Sequence, residues 1–466
     1  MRKSFFRYLL TALLIINSIN SYAQPGHRTD IHPDSISDRL WVDLDKGYFE
    51  FHKRTFVMST INNHKLDDYF TAATGAGLGY YSPSFHGFHL GFSGFFVFQL
   101  YHHNLDNLDP LTGQTSRYER QLYDLNDVEN SKDLDRLEEF VLTYEREHFE
   151  LELGRQKFES PLLNENDNRM RPNIFNGLTA NYNKHHLKLT AGWFISEAVR
   201  GTVHWYKMDH TFGIYSQGRN PLGDSLGYHN HISTKGVGVF GAEYEKKGWN
   251  LQAWNYIAEN VFNLSFGQVD YEFSKNKATY LFGVQGLYQT ALNNGGNSNQ
   301  SLTYMLEDEN TFAVGTQLGV EIGNSKFTAN YFGISDQGRY LFPREWGREK
   351  FYASQEREIF EGNGGLNAFV LKYKYNPEEK PYWFSIGAGY IDQPKLNNIR
   401  LNKYTIDDYY HVSSKFDYKF EGYLEGFDIQ CIVILKKEAI DGAMSIEEKM
   451  NTVDMINLNL VLDYRF

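Results

Sequence analysis

Runs of about ten residues in which apolar and polar side chains alternate recur along this chain, and no other feature limits its fold as strongly. The last run is the clearest. Ile456, Leu458, Leu460, Leu462, Tyr464 and Phe466 share one parity, and Asn457, Asn459, Val461, Asp463 and Arg465 share the other. Successive side chains of a strand point to opposite faces, so this segment has one apolar and one polar face; helical spacing would scatter both sets. The same pattern runs through Phe88, Leu90, Phe92, Phe96 and Phe98, although Phe95 and Val97 interrupt the polar face. It returns at Leu187, Leu189, Ala191, Trp193 and Ile195, and at Phe312, Val314, Leu318, Val320 and Ile322. Phe427, Ile429, Cys431, Val433 and Leu435 also share a face, which makes Cys431 a small apolar surface residue.

Taken together, the runs predict about eighteen strands. They lie near 48–60, 68–81, 87–102, 138–147, 149–159, 175–184, 186–198, 234–246, 248–259, 261–274, 278–291, 310–322, 326–336, 363–376, 380–392, 410–423, 426–438 and 452–466. A soluble sheet edge would alternate too, so periodicity alone does not place these strands in a membrane. The connections add an independent criterion. Counted from the second strand, tight turns such as His185-His186, Lys247-Gly248 and Gly323-Ser325 alternate with mostly long segments near 103–137, 160–174, 199–233, 292–309, 337–362, 393–409 and 439–451. Glu259-Asn260 is the one short connection where a long one is due. Short periplasmic turns alternating with long extracellular loops are the rhythm of an outer-membrane barrel.

Composition agrees. No segment after the N-terminus has eighteen consecutive apolar residues, and mean hydropathy is −0.52, so helical spanning is excluded. Yet aromatic residues make up 16% of the chain, with 33 Tyr and 35 Phe, as interfacial girdles require. The expected fold is therefore all-β: a single transmembrane antiparallel β-barrel over 48–466. The N-terminus reads as a secretory signal over 1–23: basic Arg2, Lys3 and Arg7, a short apolar run from Tyr8 to Ile16, and the small-x-small site Ser21-Tyr22-Ala23. A short polar tail over 24–47 follows, with no room for a plug domain.

The formal charge of −12 argues against nucleic acid, which calls for a basic stripe. One cysteine excludes a disulfide framework and a cysteine zinc site. Clustered histidines such as His102-His103, His185-His186 and His229/His231 have no His-Glu-x-x-His motif, and no Gly-x-Ser-x-Gly is present, so neither metal, cofactor nor enzyme activity is expected.

Two stretches resemble the OprD-type outer-membrane porins, including relatives in Bacteroidetes-like bacteria. The first is Gly154-Arg155-Gln156, then Ser160-Pro161-Leu162 and Asp167-Asn168-Arg169-Met170-Arg171-Pro172-Asn173-Ile174-Phe175-Asn176-Gly177. It is similar to that family's strand, inward-folded third outer loop and next strand. The second is Leu341-Phe342-Pro343-Arg344-Glu345-Trp346-Gly347-Arg348-Glu349, leading to Arg357 and Glu361-Gly362, and is similar to the family's seventh outer loop. The resemblance implies passive diffusion of small solutes, often carboxylate-bearing ones such as amino acids or organic acids, or short oligomers. It also implies a single barrel narrowed by these two loops, with cationic and acidic walls facing each other. Phe466 resembles the terminal signal read by the barrel-assembly machinery.

Candidate constriction residues follow. Arg169 and Arg171 lie in a polar loop stiffened by Pro161 and Pro172, and guanidiniums offer bidentate sites to a carboxylate. Alternatively they are two arginines on a solvated loop. Arg155 shares the parity of Leu151 and Leu153, so it turns inward only if Gly154 makes a bulge; otherwise it sits at the outer interface. The same parity points Glu150 and Glu152 into the lumen, as candidates for an acidic wall; the alternative is that they are buried salt-bridge partners. Arg344, Arg348 and Arg357 are candidates for the mouth, with Glu345 and Glu349 holding the loop; a self-paired charged loop is the alternative. Two other functions stay open: a receptor or adhesin barrel without an open pore, and a barrel hydrolase.

Overall fold

In the computed structural model, residues 47–466 are described except 64, 128 and 131; the expected signal and nearly all of the 24–47 tail lie outside them. Among the described residues no helix is long and apolar enough to cross a membrane, and strands do the spanning. They are β1 (Tyr48–Asn62), β2 (Tyr69–Tyr81), β3 (Phe88–His103), β4 (Asp135–Arg146), β5 (Phe149–Gln156), β6 (Ile174–Lys184), β7 (Leu187–Ala198), β8 (Val237–Lys246) and β9 (Trp249–Ala258). The second half comprises β10 (Phe262–Lys275), β11 (Ala278–Ala291), β12 (Asn310–Ile322), β13 (Ser325–Ile334), β14 (Asn367–Tyr375), β15 (Tyr382–Asp392), β16 (Tyr409–Lys419), β17 (Phe427–Glu438) and β18 (Met455–Arg465). A two-residue strand, Tyr206–Lys207, only extends the edge of β7, which pairs with β8 as its true neighbour.

Each strand pairs antiparallel with the next, and β1 closes the ring on β18 from His52↔Arg465 to Asn62↔Met455. Closure leaves no edge, so every spanning strand finds its backbone partners, as a hydrocarbon environment demands. Strand existence and order match expectation. The largest boundary differences are at β14, which starts at Asn367 rather than 363, and β16, which ends at Lys419 rather than 423. Gly362 and Gly365, at φ 92° and 70°, carry the chain out of its loop just before β14, and Gly422, at φ 65°, begins a turn after β16.

Hairpins at one end are tight. Lys247-Gly248 and Asn276-Lys277 both take positive φ at their two central residues, the turn whose twist matches the flanking strands. The opposite end carries the long loops, with the connections from β1 to β2 and from β9 to β10 the short exceptions. Outward side chains form an apolar belt bounded by rings. At the tight-turn end Trp249 and Tyr271 lie 4.4 Å apart, Phe427 and Tyr464 4.5 Å, and Phe327 and Tyr373 4.7 Å. Tyr331 with Phe369, and Tyr390 with Tyr410, pair at the loop end. These are the two interfacial girdles. Cys431 takes its place on the outward face, between Phe416 and Leu460 in register. Phe95 and Val97 turn inward instead, where a register shift between Phe92 and Gly94 accommodates them.

The interior is not an open tube. Two loops enter it, 157–173 after β5 and 335–366 after β13, and pack an apolar core inside the wall that includes Leu162, Phe212, Tyr256, Phe262, Phe342 and Trp346. Trp346 is fully buried, and its indole N–H donates to Thr211 Oγ1 at 2.8 Å.

Candidate functional site

The two inward loops are stitched to each other. Asn164 N–H donates to Trp346 O at 3.0 Å, Asn164 Nδ2 to Arg348 O at 2.9 Å, and Arg348 N–H returns a bond to Asn164 Oδ1 at 3.1 Å. Gly347, at φ 158°, passes so close to Leu162 O and Asn164 that a Cβ would meet that oxygen at 2.3 Å, so only glycine allows this crossing. The loop after β13 then spans the lumen. On one side Gln289 clasps Leu341 through both its side-chain atoms. On the other, Arg357 Nη2 donates to Asn459 Oδ1 of β18 at 2.7 Å, and Lys436 of β17 donates to Arg357 O at 3.0 Å.

Between the loops lies a cavity of ≈ 80 Å³, lined by Arg117, Arg169, Arg200, Arg344, Arg348, Arg357 and Lys436, with tyrosines 118, 215, 404 and 409. At 10–15 Å³ per water that is room for roughly half a dozen waters. Glu349 and Glu358 are the carboxylates on its lining. Glu358 is already engaged: His411 Nδ1 lies 2.5 Å away, Tyr409 Oη donates at 2.6 Å, and Lys436 Nζ sits at 3.5 Å. Arg348 pairs with Glu356 at 2.9 Å, and Arg344 approaches Glu361 at 4.0 Å.

The other four arginines differ. Among the described residues no carboxylate lies within ion-pair distance of Arg117, Arg169, Arg200 or Arg357. Arg169, 2% exposed, donates only to neutral oxygens, at Asn168 and Gln121, and its Nε has no partner. Burial, with Arg357 and Arg200 beside it, presses its guanidinium well below the ordinary arginine range, and burial lowers Arg357 to about 10. Arginine does not give up its proton in a protein, so this pressure takes the form of a field that an anion would relieve. Burial, with Glu361 nearby, lifts Glu349 to about 7. Arg348 holds Glu356 down at about 2, against the upward push of burial.

The structure thus brings Arg169, Arg344, Arg348 and Arg357 to one cavity and places the other candidates elsewhere. Arg171, 1% exposed, points behind the loop and donates to Leu134 O and Tyr123 O. Arg155 keeps the outward parity of Leu151 and Leu153: the β4–β5 and β5–β6 registers run through Gly154 without a shift. Its Cζ lies 4.4 Å from the ring centroid of Trp205. Glu150 and Glu152 face inward on β5, toward the tight-turn end, and accept from Asn181 and Thr179. Around the ring from them, Lys372 and Lys374 of β14 and Lys415 of β16 face the same lumen, the last two within 5.3 Å of the Trp383 ring. Glu345 accepts from Tyr215 N–H at 2.8 Å and holds that part of the loop in place.

Sequence reasoning missed Arg117 and Arg200, which enter from the loops after β3 and β7. Neither sits in a distinguishing motif; the only hint is a neighbouring tyrosine in Arg117-Tyr118.

A family model described as outer membrane porin, OprD family, matches residues 111–379, more than half of the chain. No curated protein matches the sequence. Among solved structures, OpdK of Pseudomonas aeruginosa, crystallised with vanillate, aligns with a TM-score of 0.67 at 14% identity, covering 91% of this chain and 99% of that one. OccK8 (OprE) of the same organism gives 0.70 at 13%, covering 90% and 98%. OccAB4 of Acinetobacter baumannii gives 0.69 at 13%, again covering 90% and 98%. Likeness at such identity is likeness of fold.

Proposed function

Because the chain belongs to the OprD family of outer membrane porins, and so is an outer-membrane channel for small solutes, we propose that its solutes carry carboxylates and that the arginine-lined cavity is its selectivity eyelet. One observation carries this reading: Arg117, Arg169, Arg200 and Arg357 converge on one small cavity without carboxylate partners among the described residues. A carboxylate entering there accepts charge-assisted bonds from fixed forks and lowers the mutual repulsion of the arginines. Glu150 and Glu152, which face the lumen from β5 toward its tight-turn end, add the acidic charge along the path that helps orient a dipolar solute such as an amino acid. Vanillate, the compound in the OpdK crystal, has the same anionic group. The barrel acts singly, without a cofactor, and its product is the unchanged solute on the periplasmic side.

The test is single-channel recording of the purified, detergent-folded protein in a planar bilayer under a salt gradient. Discrete steps with an anion-selective reversal potential, shifted toward cations by Arg169→Ala, are expected. A cation-selective wild-type channel would remove the carboxylate reading. A second reading, a non-conducting receptor, draws on the aromatic core that fills the lumen around Trp346; inserted barrels that never conduct would favour it.

A further inference from the structure

Arg169 is held close to Arg200 and Arg357, which repel it, on a loop folded into the barrel interior. Something must restrain that loop on the side away from Asn164. The restraint is visible at Asp167, two residues before Arg169. Arg54 of β1 places Nη1 at 2.5 Å from Asp167 Oδ1 and Nη2 at 3.0 Å from Oδ2, while its Nε and Nη2 bond both oxygens of Asp463 on β18, at 2.8 and 3.0 Å. A further bond runs from Nη1 to the carbonyl of Arg169 itself, at 2.7 Å. All five N–H groups of the guanidinium are used, a valence only arginine can offer. Its side chain is 5% exposed, and Arg465 adds a weaker contact to Asp167 at 3.6 Å.

We propose that Arg54, Asp167 and Asp463 form the anchor that positions Arg169 in the eyelet, and that they set ion selectivity without touching the solute. The barrel does not need them to close: β1 and β18 are joined by a backbone ladder of eleven residue pairs, of which Arg54↔Asp463 is one. What depends on Arg54 is the inner stretch of the loop: apart from Arg54 and Arg465 at Asp167, its ion pairs among the described residues are Lys157 to Glu139 of β4 at 3.4 Å, where the loop leaves the wall, and Glu159 to Lys350 of the other inward loop. The anchor also joins the loop to the first and last strands, so the eyelet is completed only when the ring has closed.

The inference rests on the reading that Arg169 favours anions, and the experiment separates the two. Full-length Asp167→Asn, Asp167→Glu, Arg54→Lys and Arg169→Ala are folded, checked for the mobility difference between heated and unheated samples in electrophoresis, and recorded in bilayers. In Asp167→Asn and Arg54→Lys the anion-to-cation permeability ratio is expected to fall most of the way to that of Arg169→Ala, with added flicker in the open-channel current. Asp167→Glu, which keeps the carboxylate, should restore much of the ratio. A purely structural role would lower folded yield and leave surviving channels with the wild-type ratio, which overturns the proposal. Wild-type ratio and quiet current in Asp167→Asn, alongside a shifted Arg169→Ala, defeat the anchor and leave the eyelet reading intact. Flicker in Asp167→Asn with an unshifted Arg169→Ala keeps the anchor and defeats the anion reading.

Discussion

Arginines are buried in two kinds of place in this barrel, and their partners differ. Away from the cavity, Arg339 of the loop after β13 is forked onto Glu309 at 2.9 Å through both Nε and Nη2, and on the wall Arg136 onto Glu138 and Arg54 onto Asp167 and Asp463. Around the cavity, Arg169 at 2% exposure is as enclosed as these, Arg200 at 8% a little less and Arg357 half-buried, and all three face amides, carbonyls and rings. A buried charge with a forked partner holds structure. One left with neutral partners stores an attraction for something that comes and goes. Burial alone therefore says little about what an arginine does here; under the proposed function, the absence of a carboxylate partner is what marks those that would meet the solute.

The comparison can be broken at several points. The largest effect should come from Glu309→Ala, which strands Arg339 with no counter-charge at 2% exposure; a loss on the order of 3–5 kcal/mol is expected. A midpoint for urea or thermal unfolding equal to wild type would show that the fork is dispensable. Arg169→Ala should do the reverse: stability is kept or raised because a repelled charge is removed, while selectivity suffers. Removing one charge about 4 Å from a passing anion in a water-filled eyelet is worth about 1 kcal/mol, or roughly fivefold in permeability ratio. Reversal potentials and unfolding midpoints on the same sample check both halves.

A pH series sharpens the contrast. Glu349, lifted to about 7, takes up a proton as pH falls from 8 to 6, so one negative charge leaves the eyelet lining and anion preference should rise. Glu356 and Glu358, held near 2 against burial by Arg348 and by Lys436 with His411 respectively, stay ionised across that window. Stability runs in the same sense. Glu349 binds its proton more tightly folded than unfolded, so its contribution declines as pH rises from the unfolded carboxylate range through about 7. Glu349→Gln should flatten the selectivity profile; a persistent slope would assign the titration to another group. The smallest effect belongs to Arg155→Ala at the outer rim, which removes a cation–π contact worth about 0.5–1 kcal/mol and should leave the reversal potential unchanged.

How far the site was legible follows from the distance over which each feature is decided. Arg169, Arg344, Arg348 and Arg357 were candidates from two loop segments, and the structure gathers them at one cavity. Arg171 shares the loop and chemistry of Arg169, yet one residue between them reverses its direction, and it ends on Leu134 and Tyr123 carbonyls. Parity correctly left two positions for Arg155, and the unbroken register at Gly154 decided for the outer one. Arg117 and Arg200 sit in no distinguishing motif, because reaching the cavity depends on the paths of the loops after β3 and β7.

The sequence by itself determined the wall. Period-two alternation, the abundance of Tyr and Phe and the short–long rhythm of connections are all readable along the chain, and each follows from a strand having lipid on one side and lumen on the other. Only the tertiary structure decided which charges neutralise one another. Asp167 meets Arg54 across 113 residues, and Asn164 meets Arg348 across 184. An ion pair acts over a few ångströms of space with no memory of chain separation, so no pattern along the chain could say which arginines would be left without one.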